Sequence, residues 1–137
     1  MWWIYALLAA FFASLTAVLA KVGIKGVDSN LATAVRTVVV LVLAWGIVYF
    51  RGGLAQVHTL TRTNLVFLGL SGLATGLSWI FYFRALQLGK VSQVAPVDKL
   101  SVALAIGLSV LFLGETITWQ TGLGAGLIIA GTLVLIF

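Results

Sequence analysis

Residues 2–20 read WWIYALLAAFFASLTAVLA, and Lys21 follows directly. A helix needs about 20 apolar residues to cross the hydrocarbon core of a bilayer. This stretch has that length and carries no charge. A secretory signal would open on a basic segment, and none precedes the apolar run. Trp2, Trp3 and Tyr5 read instead as an interfacial aromatic belt. The stretch is therefore expected to be a retained first membrane span.

Four more stretches follow the same pattern. Working outward from the first, spans are expected at about 31–50, 65–83, 91–113 and 118–137. The second and third end at Arg51 and Arg84. Asp28, Ser29 and Asn30 offer starts for the second helix, Thr63 or Asn64 for the third, and Thr116 or Thr118 for the fifth, because short polar side chains cap helix N-termini. The fourth and fifth are joined by a tight Gly-Glu-Thr link, where Glu115 suits the N-terminus of the next helix. The reading is an all-α integral membrane protein, one domain over 1–137, with five tightly packed helices and its termini on opposite sides.

Composition agrees. Of 137 residues, 62% are hydrophobic and 8% charged, and the mean hydropathy is +1.20. A soluble domain carries about 25% charged residues, so lipid is the solvent this chain fits. The absence of cysteine excludes disulfides, thiolate metal sites and a cysteine nucleophile. Lys and Arg outnumber Asp and Glu by 8 to 3. They lie mostly at span ends, where they act as topology signals and lipid anchors, and they form no basic helix face for nucleic acid. Lys21, Lys25, Arg84 and Lys90 fall on the C-terminal side, against Arg51 and Arg62 on the other. That leans toward a cytoplasmic C-terminus by a margin small enough for insertion both ways. His58, alone in the longest loop, reads as solvated. No nucleophile–base pair, phosphate loop or ligand cluster is present, so neither an enzyme nor a cofactor is expected.

Helices in lipid associate through close backbone approach and polar contacts. Gly122, Gly126 and Ala130 form a small-residue stripe on the fifth span, read as a dimer seam, with packing inside one chain as the alternative. Ala6, Ala10, Ala13 and Ala17 form a similar stripe on the first. On the third span, Ser71, Thr75, Ser78 and Tyr82 fall within an arc of about 60°. Trp79 flanks them, and Gly69, Gly72 and Gly76 hold the next face. This polar stripe reads as a wall of a substrate cavity, or as hydroxyls bonded to their own helix.

Three charges fall inside spans, namely Arg36, Asp98 and Lys99. Each costs about 2.5–3.5 kcal/mol at a helix centre on translocon scales, so such groups face protein or water. They lie in the same half of the bilayer, so an Arg36–Asp98 pair is possible. Asp98 and Lys99 are adjacent, point about 100° apart and cannot share one face. Pro96 removes a backbone donor just before them, which marks a hinge and a site for Lys99 beside the polar stripe. Asp98 is the best proton carrier. A structural salt bridge is the alternative.

Residues 79–135 resemble the EamA-type domain of the drug/metabolite transporter superfamily. The resemblance rests on Ala85-Leu86 followed by Pro96, on Phe-Leu-Gly-Glu at 112–115, and on Arg36. It implies that two five-helix units make one transporter, and that this chain is a half-transporter of the short, single-domain prokaryotic branch in the cell (inner) membrane. A single unit then pairs with an inverted copy of itself, giving an antiparallel homodimer with dual topology. The implied function is export or exchange of a small metabolite by alternating access, and Lys99 with Arg36 suggests an anionic or zwitterionic one. Small multidrug resistance proteins offer another reading, a proton-coupled drug exporter. Their hallmark glutamate in the first span is missing, since the carboxylates are Asp28, Asp98 and Glu115. A scaffold or accessory subunit and a passive channel are the remaining alternatives.

Overall fold

The computed structural model describes residues 1–137 and contains no strand. Its helices are α1 (Trp2–Gly23), α2 (Ser29–Phe50), α3 (Arg62–Leu88), α4 (Val91–Asp98), α5 (Leu100–Leu113) and α6 (Trp119–Ile136), with a 3₁₀ segment Gly53–Thr59 in the longest loop. Five segments are long and apolar enough to cross a membrane, with α4 and α5 forming one of them, Val91–Leu113. Trp2 and Tyr5 are exposed, as an aromatic belt at the lipid headgroups requires.

The caps follow local chemistry. Asp28 accepts hydrogen bonds from the N–H groups of Asn30 and Leu31 and so starts α2. Thr61, not Thr63 or Asn64, caps α3, its hydroxyl accepting from the Asn64 N–H at 3.2 Å. Thr118 starts α6 by accepting from the Thr121 N–H. The link before α6 is therefore longer than Gly-Glu-Thr, and Glu115 lies outside the capping position. Gly114, at φ 69°, closes α5 in the left-handed region. The third helix outruns its apolar stretch. Its 27 residues span about 40 Å at 1.5 Å each, so its last turn, with Arg84 and Gln87, reaches past the hydrocarbon.

The chain divides into two compact units, Met1–Leu19 with Leu88–Phe137, and Ala20–Gln87. In the first unit α6 packs on both α4 and α5. The fourth span is not one continuous helix. Pro96 leaves the Ser92 carbonyl without an amide donor four residues on. The Lys99 N–H then reaches both Ala95 O, at 3.3 Å, and Pro96 O, at 3.0 Å, and Val102 N–H returns to Lys99 O at 3.0 Å. The ladder tightens from four-residue to three-residue spacing, and the helix breaks at Lys99.

Thr132 holds this break from the neighbouring helix. Its buried hydroxyl contacts Pro96 O at 3.2 Å and Ile128 O at 2.8 Å. Thr132→Val keeps the shape and removes the donor. It should lower stability by about 1 kcal/mol, read as an earlier midpoint on denaturant unfolding in micelles. Thr132→Ser should restore the midpoint, and an unchanged midpoint in Thr132→Val would reject the buttress.

The packed face of α6 consists of Thr121, Gly124, Ala125, Ile128 and Thr132, whereas Gly122, Gly126 and Ala130 are exposed. Ala130 lies about 200° round the helix from Thr132. A side chain placed at Gly126 would meet nothing within 4 Å, and one at Gly122 would meet only Ile117 of the preceding link, at 3.7 Å. The stripe on α1 is exposed except at Ala17.

In the second unit the burial is concentrated at one end. Ile24 after α1, Ser29 and Thr33 at the start of α2, and Phe83 and Leu86 at the end of α3 are buried. Elsewhere in this unit most large apolar side chains, such as Leu43 and Leu68, are exposed. Tight packing is thus local, not general along the helices.

Candidate functional site

Arg36 stands one turn beyond the buried end of the Ala20–Gln87 unit. Its guanidinium carbon lies 4.1 Å from the centre of the Trp79 ring and 5.3 Å from that of Phe83. Trp79 and Phe83 are four residues apart, so α3 presents both rings on one face. A cation over an aromatic face gains about 0.5–2 kcal/mol, more as water is removed. The two rings hold the guanidinium carbon in place on this face of α3. The one carboxylate of this unit, Asp28, is held at the α2 N-terminus. The arrangement is an oriented cation at membrane depth, suited to a planar carboxylate or a phosphate.

The polar stripe continues from this point along α3. Ser71, Thr75 and Ser78 are exposed, and Trp79 and Tyr82 are partly so. Thr75 donates to the carbonyl of Ser71 at 2.9 Å, the local bond that competes with a cavity-wall role for this hydroxyl. Side chains placed at Gly69, Gly72 or Gly76 would meet nothing within 4 Å, so no neighbour fills the adjacent face.

In the other unit Asp98 and Lys99 form an ion pair of 3.3 Å. The two positions point to different sides, yet their side-chain ends meet. Lys99 is a turn residue between α4 and α5, not a helical one, and its flexible stem can fold back to the preceding carboxylate. Asp98 is 34% exposed and Lys99 57%. Charges this open at membrane depth face water or polar groups rather than lipid tails. Arg36 and Asp98 each have a partner within their own unit, the aromatic rings for one and Lys99 for the other.

Two contributors escaped the sequence reading. Phe83 was legible as the residue four positions after Trp79. Thr132 was legible only as a lone hydroxyl deep in an apolar helix, with nothing to say that Pro96 is its partner.

The full chain, residues 1–137, matches the EamA-like transporter family. It is 48% identical over 134 residues to an uncharacterized transporter from a Sinorhizobium species, covering 98% of this chain and 95% of that one. It is also 39% identical over 56 residues to an uncharacterized protein of Methanocaldococcus jannaschii, 41% of each chain. No solved structure matches. With five membrane-length helices and this full-length match, the chain is a multi-pass membrane protein belonging to the EamA-like transporter family of the drug/metabolite transporter superfamily.

Proposed function

We propose that this chain is one half of a small-metabolite exporter or exchanger of a prokaryotic inner membrane, working by alternating access as an antiparallel homodimer. Its substrate is anionic or zwitterionic. The observation that carries the substrate class is the Arg36 guanidinium held 4.1 Å from the centre of the Trp79 ring, a cation with no carboxylate paired to it. The stripe Ser71–Tyr82 supplies hydroxyls beside it, and the break at Pro96–Lys99 supplies a hinge with a titratable pair. The homodimer is supported by the exposed Gly122–Gly126–Ala130 stripe on α6, since α4 and α5 occupy another face of that helix.

Counterflow in proteoliposomes across amino acids, organic acids, nucleosides and small amines tests this reading. Saturable exchange of a carboxylate or zwitterion is expected. Exchange of cationic amines alone would favour the proton-coupled drug exporter. Unsaturable conductance would favour a channel, and no flux at all a scaffold. Reporter fusions at the C-terminus should respond on both sides of the membrane, and a response from one side only would sink dual topology.

A further inference from the structure

Below the buried end of the second unit, the turn from α1 to α2 meets the end of α3 and shapes an open cavity of about 400 Å³. Its lining is Lys21, Ile24, Lys25, Gly26, Val27 and Gln87. That volume lies within the usual range for small-molecule sites. Two cations and a carboxamide face it together with two apolar side chains, so it matches an amphiphile with an anionic head.

The cavity is a shaped part of the fold. Gly26 turns the chain at φ 72°, in the left-handed region. Gln87 donates to Val27 O at 2.7 Å, and Arg84 donates to the Gln87 carboxamide oxygen at 3.1 Å. The bridge from Arg84 through Gln87 fixes the turn to α3. Lys21 donates to the carbonyl of Leu86, and so caps the end of α3. Asp28, the nearby carboxylate, is occupied with the α2 N-terminus. Nothing in the lining offsets the charge of Lys25.

Position supplies the source of the anion. The lining comes from the end of the first span, the turn after it and the last turn of α3, at the level where hydrocarbon gives way to headgroups. Basic pockets between spans at this level suit anionic lipid heads. We infer that this cavity binds a phosphate-bearing anion, the headgroup of an anionic phospholipid, at a site separate from Arg36.

The test uses the full-length protein in neutral detergent, probed with phosphatidylglycerol, phosphatidylcholine and soluble glycerol phosphate. Binding is read by native mass spectrometry and by thermal shift. Phosphatidylglycerol should be retained in preference to phosphatidylcholine. Lys25→Gln, which removes a cation without touching the cap on α3, should weaken that retention about fivefold. Lys90→Gln, outside the lining, should leave it unchanged. Glycerol phosphate bound with the same dependence on Lys25, in place of the lipid, would keep the anion site and assign it to a soluble ligand. Equal retention of both lipids, or equal effects of the Lys25 and Lys90 variants, would overturn the inference.

Discussion

Arg36→Ala should reduce saturable uptake by about tenfold to hundredfold while the protein stays folded. One charge-assisted hydrogen bond is worth about 1.5–3 kcal/mol, and each 1.4 kcal/mol is tenfold. The folding side of the prediction separates substrate binding from structure. Arg36 lies about two turns inside α2, so its removal spares only part of the about 2.5–3.5 kcal/mol that an arginine costs at a helix centre. The stacking lost with Trp79 and Phe83 is about 0.5–2 kcal/mol. The two quantities offset each other, so Arg36→Ala should fold about as well as the parent. Arg36→Lys keeps the charge but loses the planar fork and most of the stacking, and should recover only part of the uptake. Trp79→Leu should resemble Arg36→Lys, because the arginine remains but is no longer held in one plane. Uptake rates and unfolding midpoints measured on the same preparations decide the matter. A clear drop in the midpoint of Arg36→Ala, with uptake lost in proportion, would make the stack a structural clasp.

Asp98→Asn and Lys99→Ala should each cut transport by at least about tenfold and leave the dimer intact. The physical basis is the broken helix. The two charges meet at the point where the ladder fails, and the pair stays partly open on both sides. Partly exposed ion pairs add little to stability, about 0–1 kcal/mol, which argues against a purely structural use of two charges at membrane depth. Asp98→Asn removes the carboxylate that can carry a proton and leaves Lys99 charged. Uptake in that variant should lose its response to an imposed pH gradient, whereas Lys99→Ala should lose uptake with the gradient present or absent. Cross-linking and size-exclusion profiles report the dimer. If both variants fail to form it, the pair is a structural lock and transport loss carries no information about coupling.

Most of the fold was legible along the chain because lipid imposes a simple rule. Every backbone donor and acceptor must be satisfied inside its own segment, so an apolar run of the right length becomes a helix whatever its neighbours do. The polar residues marking the turns also behaved locally. Asp28, Thr118 and Gly114 act through groups within a few residues of themselves. Thr61 was missed as a cap because α3 starts before its apolar run does. The end of that helix was missed for a related reason, since Arg84 and Gln87 sit beyond the hydrocarbon, where hydropathy no longer marks helix.

The candidate site divides in the same way. Sequence alone determined which side chains are costly at membrane depth, and so singled out Arg36, Pro96, Asp98 and Lys99, because that cost depends on residue type and span position. It could not determine which atoms meet them. That Arg36 lies on Trp79 and Phe83, that Thr132 holds the Pro96 carbonyl, and that Asp98 reaches Lys99 are outcomes of helix rotation and of one break in a backbone ladder. Helices in lipid gain no hydrophobic preference for one mutual rotation over another. Those rotations are set by a few polar and small-residue contacts between distant segments, and only the tertiary structure decided which ones form.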